Sequence, residues 1–295
     1  MNQNVESNLE IGKSFEEQFS NVIRFEAFGG EIEAVDITPP NLKSETPVLI
    51  APGYGETPAT FKPLLQTLYH EGRRAVAISH PRFGGSAEQF EDKLVEKHGL
   101  EELRKAMNLL ALLNNRSVDK ADVMAMSEGA INASIAAELE PEKFRNIILI
   151  GPAGLVGGDN YFDLFKRFTG TIASETVDLL SPKASYSENR FTTLFESWAY
   201  FLKNPVRGLI ECNAIAKADI LEMLRATRAH GIKTAVVIGV DDPVFDQSTM
   251  NSVVHEAGEI VDGFVTVTGG HYGIANEPKY AEAVEALLTS LEAKK

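Results

Sequence analysis

The sequence predicts an α/β fold, a mostly parallel sheet flanked by helices and broken once by a helical insertion. Three observations carry this expectation. Short runs of branched apolar residues recur along the chain, segments with apolar residues three and four apart lie between them, and the alternation stops after Leu155 for about 60 residues before it resumes.

The first two strand-like runs, 21–28 and 31–38, meet at Gly29-Gly30, a pair suited to the positive φ angles of a hairpin turn. The runs at 47–51 (PVLIA), 74–79 (RAVAIS), 121–126 (ADVMAM) and 146–150 (NIILI) are apolar without alternation, as buried parallel strands are. Two more at 234–239 and 260–267 complete eight. Helical spacing appears in Phe61, Leu64, Leu65 and Leu68, in Leu103, Met107, Leu110 and Leu113, and from Ile131 to Leu139. Further helices are expected near 220–230 and over 278–291, where Ala281, Val284, Leu287 and Leu288 share a face. The expected organisation is a core of residues 1–155 and 216–295 around a helical cap of residues 156–215.

Composition excludes several classes of function. With 28 basic against 42 acidic residues in 295, the formal charge is −14, which repels phosphate backbones and anionic membranes, so nucleic acid is not an expected partner. No stretch offers the roughly 20 consecutive apolar residues of a spanning helix. The single cysteine, Cys212, has no internal partner, and MNQNVESNLEIGK lacks the basic start and apolar run of a signal peptide, so a cytoplasmic protein is expected. Zinc-protease, paired-cysteine, calcium-loop and P-loop patterns are missing, hence neither metal nor cofactor is expected. Gly151 to Gly158 follows a strand, but its spacing is wrong for a dinucleotide loop, and it reads as the hinge into the insertion.

Chemistry concentrates at strand ends. Ala125-Met126-Ser127-Glu128-Gly129 puts a serine where an apolar strand gives way to a helix rich in small residues. A tight turn there strains the serine backbone and brings neighbouring chains close, which demands small residues two before and two after it, here Ala125 and Gly129. Taken alone, Ser127 also suits a helix N-cap. A serine nucleophile needs a base. Of six histidines, His70, His98, His230 and His255 fall in or at the ends of expected helices, whereas His271 follows a strand within Gly269-Gly270-His271-Tyr272-Gly273.

These segments resemble the α/β-hydrolase family, whose elbow is usually G-x-S-x-G, here with alanine at the first position. The resemblance spans nearly the whole chain and implies an eight-stranded, mostly parallel sheet with a helical cap after strand 6. It implies Ser127 as nucleophile, His271 as base and, from Gly239-Val240-Asp241-Asp242-Pro243, Asp242 as the orienting acid with Asp241 as the alternative. It also implies an oxyanion hole of backbone N–H groups from Glu128 and from Tyr54, in Pro52-Gly53-Tyr54-Gly55-Glu56, where proline replaces the usual histidine. The run His80-Pro81-Arg82-Phe83-Gly84-Gly85-Ser86 is similar to a structural loop of the family, with His80 in place of its acid and a hydrogen-bonded loop histidine as the expected role.

Ten of the 24 aromatic residues lie between Tyr161 and Phe201, among them Phe162, Phe165 and Trp198. More than half are expected to pack the insertion together, and the rest, with these three as candidates, to line an apolar pocket over Ser127. The expected activity is hydrolysis of a small apolar carboxylic ester through an acyl-enzyme. The fold equally serves carbon–carbon bond hydrolases, lactonases, thioesterases, amidases, peptidases, lyases and non-catalytic ligand-binding proteins.

Overall fold

The structure, a computed structural model, describes residues 13–81, 90–158, 160–179, 195–196, 199–203, 205–245, 247–271 and 278–293. Its strands are β1 (Ile23–Ala27), β2 (Gly30–Ile37), β3 (Ser44–Ala51), β4 (Arg73–Ser79), β5 (Ala121–Met126), β6 (Phe144–Ile150), β7 (Lys233–Gly239) and β8 (Gly263–Val267). They form one sheet in the order β1-β2-β4-β3-β5-β6-β7-β8, with β1 and β2 antiparallel and the six strands from β4 to β8 parallel. The helices are α1 (Phe15–Phe19), α2 (Lys62–His70), α3 (Asp92–His98), α4 (Leu100–Asn115), α5 (Gly129–Leu139), α6 (Tyr161–Leu179), α7 (Pro205–Lys217), α8 (Leu221–Ala229), α9 (Gln247–Glu256) and α10 (Pro278–Ala293). This is an α/β-hydrolase sheet with helices on both faces.

Alternation along each buried strand feeds two cores. Leu49 and Ala51 of β3, with Val123 and Ala125 of β5, pack with apolar residues of α4 and α5, whereas Val48, Ile50, Met124 and Met126 face the side of α2 and α10. The parallel register also sets strand ends level. Ala51 pairs with Ala125, Met126 with Ile150, Ile150 with Val237, and Gly239 with Val267, so the loops that follow β3, β5, β6, β7 and β8 emerge along one edge. Open parallel sheets bind ligands at that carboxyl edge.

Between β6 and β7 lie α6, a helical stretch at 199–203, α7 and α8. The entry and return of this segment are stitched together by the Ile220 N–H, which donates to the Gly154 carbonyl at 3.0 Å. The boundary expected at 215–216 falls inside the last turn of α7, and the last strand starts at Gly263, with Ala257 to Ile260 in turns.

At the opposite edge an ionic cluster ties the sheet to α10. The Arg73 side chain, fully buried at the start of β4, donates to Glu285 Oε1 (2.9 Å), Thr289 Oγ1 (2.9 Å) and Glu292 Oε2 (2.7 Å). Burial pushes the Glu285 and Glu292 carboxyls up, but the hydrogen bonds and charge of Arg73 outweigh it and hold both below the ordinary 4.5. Replacing Arg73 with methionine should therefore cost about 3 kcal/mol, because Glu285 is left with only Lys43 and Glu292 with only Arg145. Arg24→Ala, which breaks a half-exposed pair with Glu33, should cost at most about 1 kcal/mol. Urea midpoints test both. The Arg73 contribution should be complete above pH 4.5 and fade as pH falls through the depressed native values.

Candidate active site

Ser127 sits between β5 and α5 with φ of +50°, a left-handed conformation that costs a non-glycine residue roughly 1–3 kcal/mol. Three backbone hydrogen bonds hold it: its N–H donates to Ile150 O (2.9 Å), and its carbonyl accepts from Ala130 (3.0 Å) and Ala153 (3.1 Å). The close approach required of Gly129 is explicit, since a Cβ there would stand 2.3 Å from the Ala51 carbonyl and 2.7 Å from that of Pro52. The turn thus leaves the Ser127 hydroxyl partly exposed at the carboxyl edge while the residues on either side are buried.

The loops after β7 and β8 converge on it. His271 Nε2 lies 3.0 Å from Ser127 Oγ, and its Nδ1 lies 2.8 Å from Asp242 Oδ2. With Nδ1–H donating to the carboxylate, the Nε2 lone pair faces the serine hydroxyl, as a general base requires. Asp242 is itself fixed, because its Oδ1 accepts the N–H groups of Val244 (2.8 Å) and Phe245 (3.0 Å). Phe245 meets the imidazole edge-on at 5.3 Å. Asp241, the alternative acid, is exposed, and its N–H donates to Gly269 O at 3.2 Å. Gly151 backs the pair: a Cβ there would lie 3.2 Å from His271 Nδ1 and 3.4 Å from Asp242 Oδ2. It acts here as a wall of the site, a closer role than the hinge expected of its glycine-rich run.

Among the described residues, the backbone N–H groups of Tyr54 and Glu128 have no protein acceptor. Glu128 immediately precedes α5, where helix geometry leaves such donors free. Its side chain turns inward, to Lys105 Nζ at 2.5 Å, and Lys105 also meets Glu211 Oε1 of α7 at 3.1 Å. Tyr200 Oη (2.7 Å) and Arg207 Nε (3.1 Å) donate to the same Glu211 oxygen. Burial, with Glu128 beside it, pushes the Glu102 carboxyl well above its ordinary value. Burial alone would lower Lys105, but Glu128 and Glu211 hold its ammonium charged. The inserted segment is thereby joined to the Ser127 turn through buried charge.

Other expected residues fall differently. The Tyr54 ring is buried edge-on against Phe168 (5.5 Å) and Tyr200 (5.0 Å), and a Cβ on Gly208 of α7 would meet its hydroxyl at 2.4 Å. Phe162 is 76% exposed and does not wall a pocket, which corrects its expected place. The helical period explains this, since Tyr161, Leu164, Phe165 and Phe168 form the inward face of α6 and position 162 is off it. Phe165 is half-buried, stacked on Tyr161 (6.1 Å) and tilted against Phe201 (6.2 Å), so it joins the helices of the insertion. Trp198 and residues 82–86 lie outside the described residues. Neither ring nitrogen of His80, both buried, has a hydrogen-bond partner among the described residues, in place of the bonded loop histidine expected.

Fold and site geometry together define a protein of the α/β-hydrolase class. The family described as serine aminopeptidase, S33, matches residues 43–279, and the chain belongs to that hydrolase family. Solved structures similar to it include a carboxylesterase of the thaumarchaeon Nitrososphaera gargenis (18% identity, 92% of this chain and 100% of that one, TM-score 0.64). A thermophilic esterase of Thermogutta terrifontis (17%, 92% and 99%, 0.62) and a bromoperoxidase of Bacillus anthracis (15%, 92% and 100%, 0.63) are similar to the same degree. At such identities the likeness shows the fold alone. No curated protein sequence matches the chain. Among the described residues, no group of three or more His, Cys, Asp or Glu could hold a metal ion, and no helix is long and apolar enough to cross a membrane.

The reactivity of Ser127 should depend on Asp242 and not on Asp241. In Asp242→Asn the imidazole loses its preferred tautomer, and labelling of the serine by a fluorophosphonate should slow by up to about 10⁴-fold. Asp241→Asn should label within about twofold of the parent rate. Comparison of the two labelling rates by mass spectrometry checks the assignment.

Proposed function

We propose that this chain is a serine hydrolase that cleaves a small apolar carboxylic ester through an acyl-enzyme on Ser127. The observation that carries the reading is the continuous hydrogen-bonded chain from a part-exposed serine on a strained turn, through His271 at 3.0 Å, to Asp242 at 2.8 Å. Ser127 Oγ attacks the acyl carbon while His271 Nε2 takes its proton, and Asp242 stabilises the imidazolium. The tetrahedral oxyanion is received by the N–H groups of Tyr54 and Glu128, each worth about 3–4 kcal/mol to the transition state. Collapse breaks the ester C–O bond, and the departing alkoxide takes the proton from His271. Water then attacks the acyl-enzyme by the same route, releasing the acid and restoring the Ser127 hydroxyl.

The inserted segment acts as a cap in this reading. Its Phe168 and Tyr200 rings lie against Tyr54, which supports an apolar wall beside the oxyanion donors made by Phe168 and its neighbours. An amide would follow the same steps, and the family description favours it as the second reading.

A graded series of p-nitrophenyl esters from acetate to palmitate, with amino-acid p-nitroanilides beside it, tests the proposal. Turnover should rise with acyl length while each buried methylene adds about 0.8 kcal/mol, then fall once the space under the cap is filled. Phe168→Ala should move the optimum, and Ser127→Ala should abolish turnover. Hydrolysis that survives Ser127→Ala would overturn the mechanism, and turnover confined to the anilides would replace the ester by the amide.

A further inference from the structure

The turn that supplies the first oxyanion donor is closed on itself by one side chain. The Glu56 N–H donates to the Gly53 carbonyl at 3.2 Å, and the Glu56 carboxylate returns to accept the Gly53 N–H through Oε2 at 2.6 Å. Gly55, between them, has φ of +69°. Both ends of the turn therefore rest on Glu56, and Tyr54 is carried between them. The carboxylate also lies beside the nucleophile, since one point, the place a Cβ of Gly53 would occupy, is 2.8 Å from Glu56 Oε2 and 3.2 Å from Ser127 Cβ.

A surface glutamate has water to satisfy it, but Glu56 is 6% exposed. With Thr57, Ser79, His80, Lys105 and Tyr200 it borders a cavity of ≈ 10 Å³, about the space of one water. The Gly53 N–H is buried too, so each group is the other's main partner, and losing either leaves a buried polar atom unmatched. A second, backbone-only closure of the turn would leave the Gly53 N–H without an acceptor.

We propose that Glu56 is the positioning residue of the oxyanion turn: by accepting the Gly53 N–H, its side chain fixes the conformation in which Tyr54 offers its own N–H to the transition state. This rests on the hydrolase reading above and extends it to a residue outside the Ser–His–Asp set. Burial pushes the carboxyl up to about 7, against the Gly53 hydrogen bond and the His271 charge, which lower it. The charged or titratable groups facing it are His271 after β8, Glu196 of the insertion, Glu128 of the nucleophile turn, and Lys105 and His80 across the cavity.

Three variants separate the hydrogen bond from the charge. Glu56→Gln keeps an acceptor of the same reach and removes the charge, Glu56→Asp keeps the charge one methylene short, and Glu56→Ala removes both. On the best p-nitrophenyl ester, Glu56→Ala and Glu56→Asp should lose about 10²-fold in kcat with KM within about twofold, the effect of a misplaced oxyanion donor. Glu56→Gln should recover most of kcat, because its amide oxygen still accepts the Gly53 N–H. Thermal melting alongside reports whether each variant is folded. Near-parental kcat in Glu56→Asp with a crippled Glu56→Gln would assign the effect to charge and overturn the positioning role. So would a folded Glu56→Ala of normal kcat, or equal losses in all three. If wild-type turnover does not need Ser127, the hydrolase reading itself fails; if it does and the Glu56 variants are normal, only this inference fails.

Discussion

The left-handed backbone at Ser127 is the constraint on which the site depends. A serine does not hold φ of +50° unaided, and here the strand before it and the helix after it are both locked into the cores on either side of the sheet. The helix can begin where it does only because Gly129 lets it pass within touching distance of the backbone that follows β3. One approach therefore sets two things at once. It tips the serine hydroxyl out of the sheet edge, and it brings the start of α5 against the Ala51 and Pro52 backbone that leads into Tyr54.

Around that turn the parallel register does the remaining alignment. Because neighbouring strands end level, short loops suffice to deliver His271, Asp242 and Gly151 to one place. The rigidity of each loop comes from its own hydrogen bonds, as with the two backbone donors on Asp242 Oδ1. Beneath the site runs a layer of buried charge, Glu128, Lys105 and Glu211, that continues into Tyr200 and Arg207. Such pairs add little net stability, since desolvation offsets their attraction, but each member makes the others costly to move. The layer therefore specifies how the inserted helices sit against the Ser127 turn.

Much of this architecture could be read from the chain. The strands of the core are continuous apolar runs, so their positions were plain to within a few residues, and glycines around Ser127 and His271 marked the turns that chemistry needs. The family resemblance pointed to His271 and to Asp242, with Asp241 beside it left open. The aromatic insertion was harder: richness in Phe and Tyr does not tell which face a residue occupies, and only the spacing of Tyr161, Leu164, Phe165 and Phe168 shows that Phe162 turns outward. Helix α9 gives little signal in the sequence, because QSTMNSVVHE carries little apolar periodicity. Glu56 and Lys105 were invisible for a different reason, since charged residues are ordinarily solvated, and the partners of Lys105 lie far along the sequence. Gly151 belongs to a glycine-rich run whose contact with the histidine arises from the pairing of β6 with β7 and of β7 with β8.

A crystal structure of the protein inactivated by a small alkyl fluorophosphonate tests the account most directly, because the adduct is tetrahedral and places a polar phosphonyl oxygen where the oxyanion forms. The account predicts phosphorus bonded to Ser127 Oγ, with the phosphonyl oxygen within about 3 Å of both the Tyr54 and Glu128 nitrogens and His271 Nε2 turned toward the leaving-group side. An adduct on another residue, or a phosphonyl oxygen that meets neither amide, would contradict it.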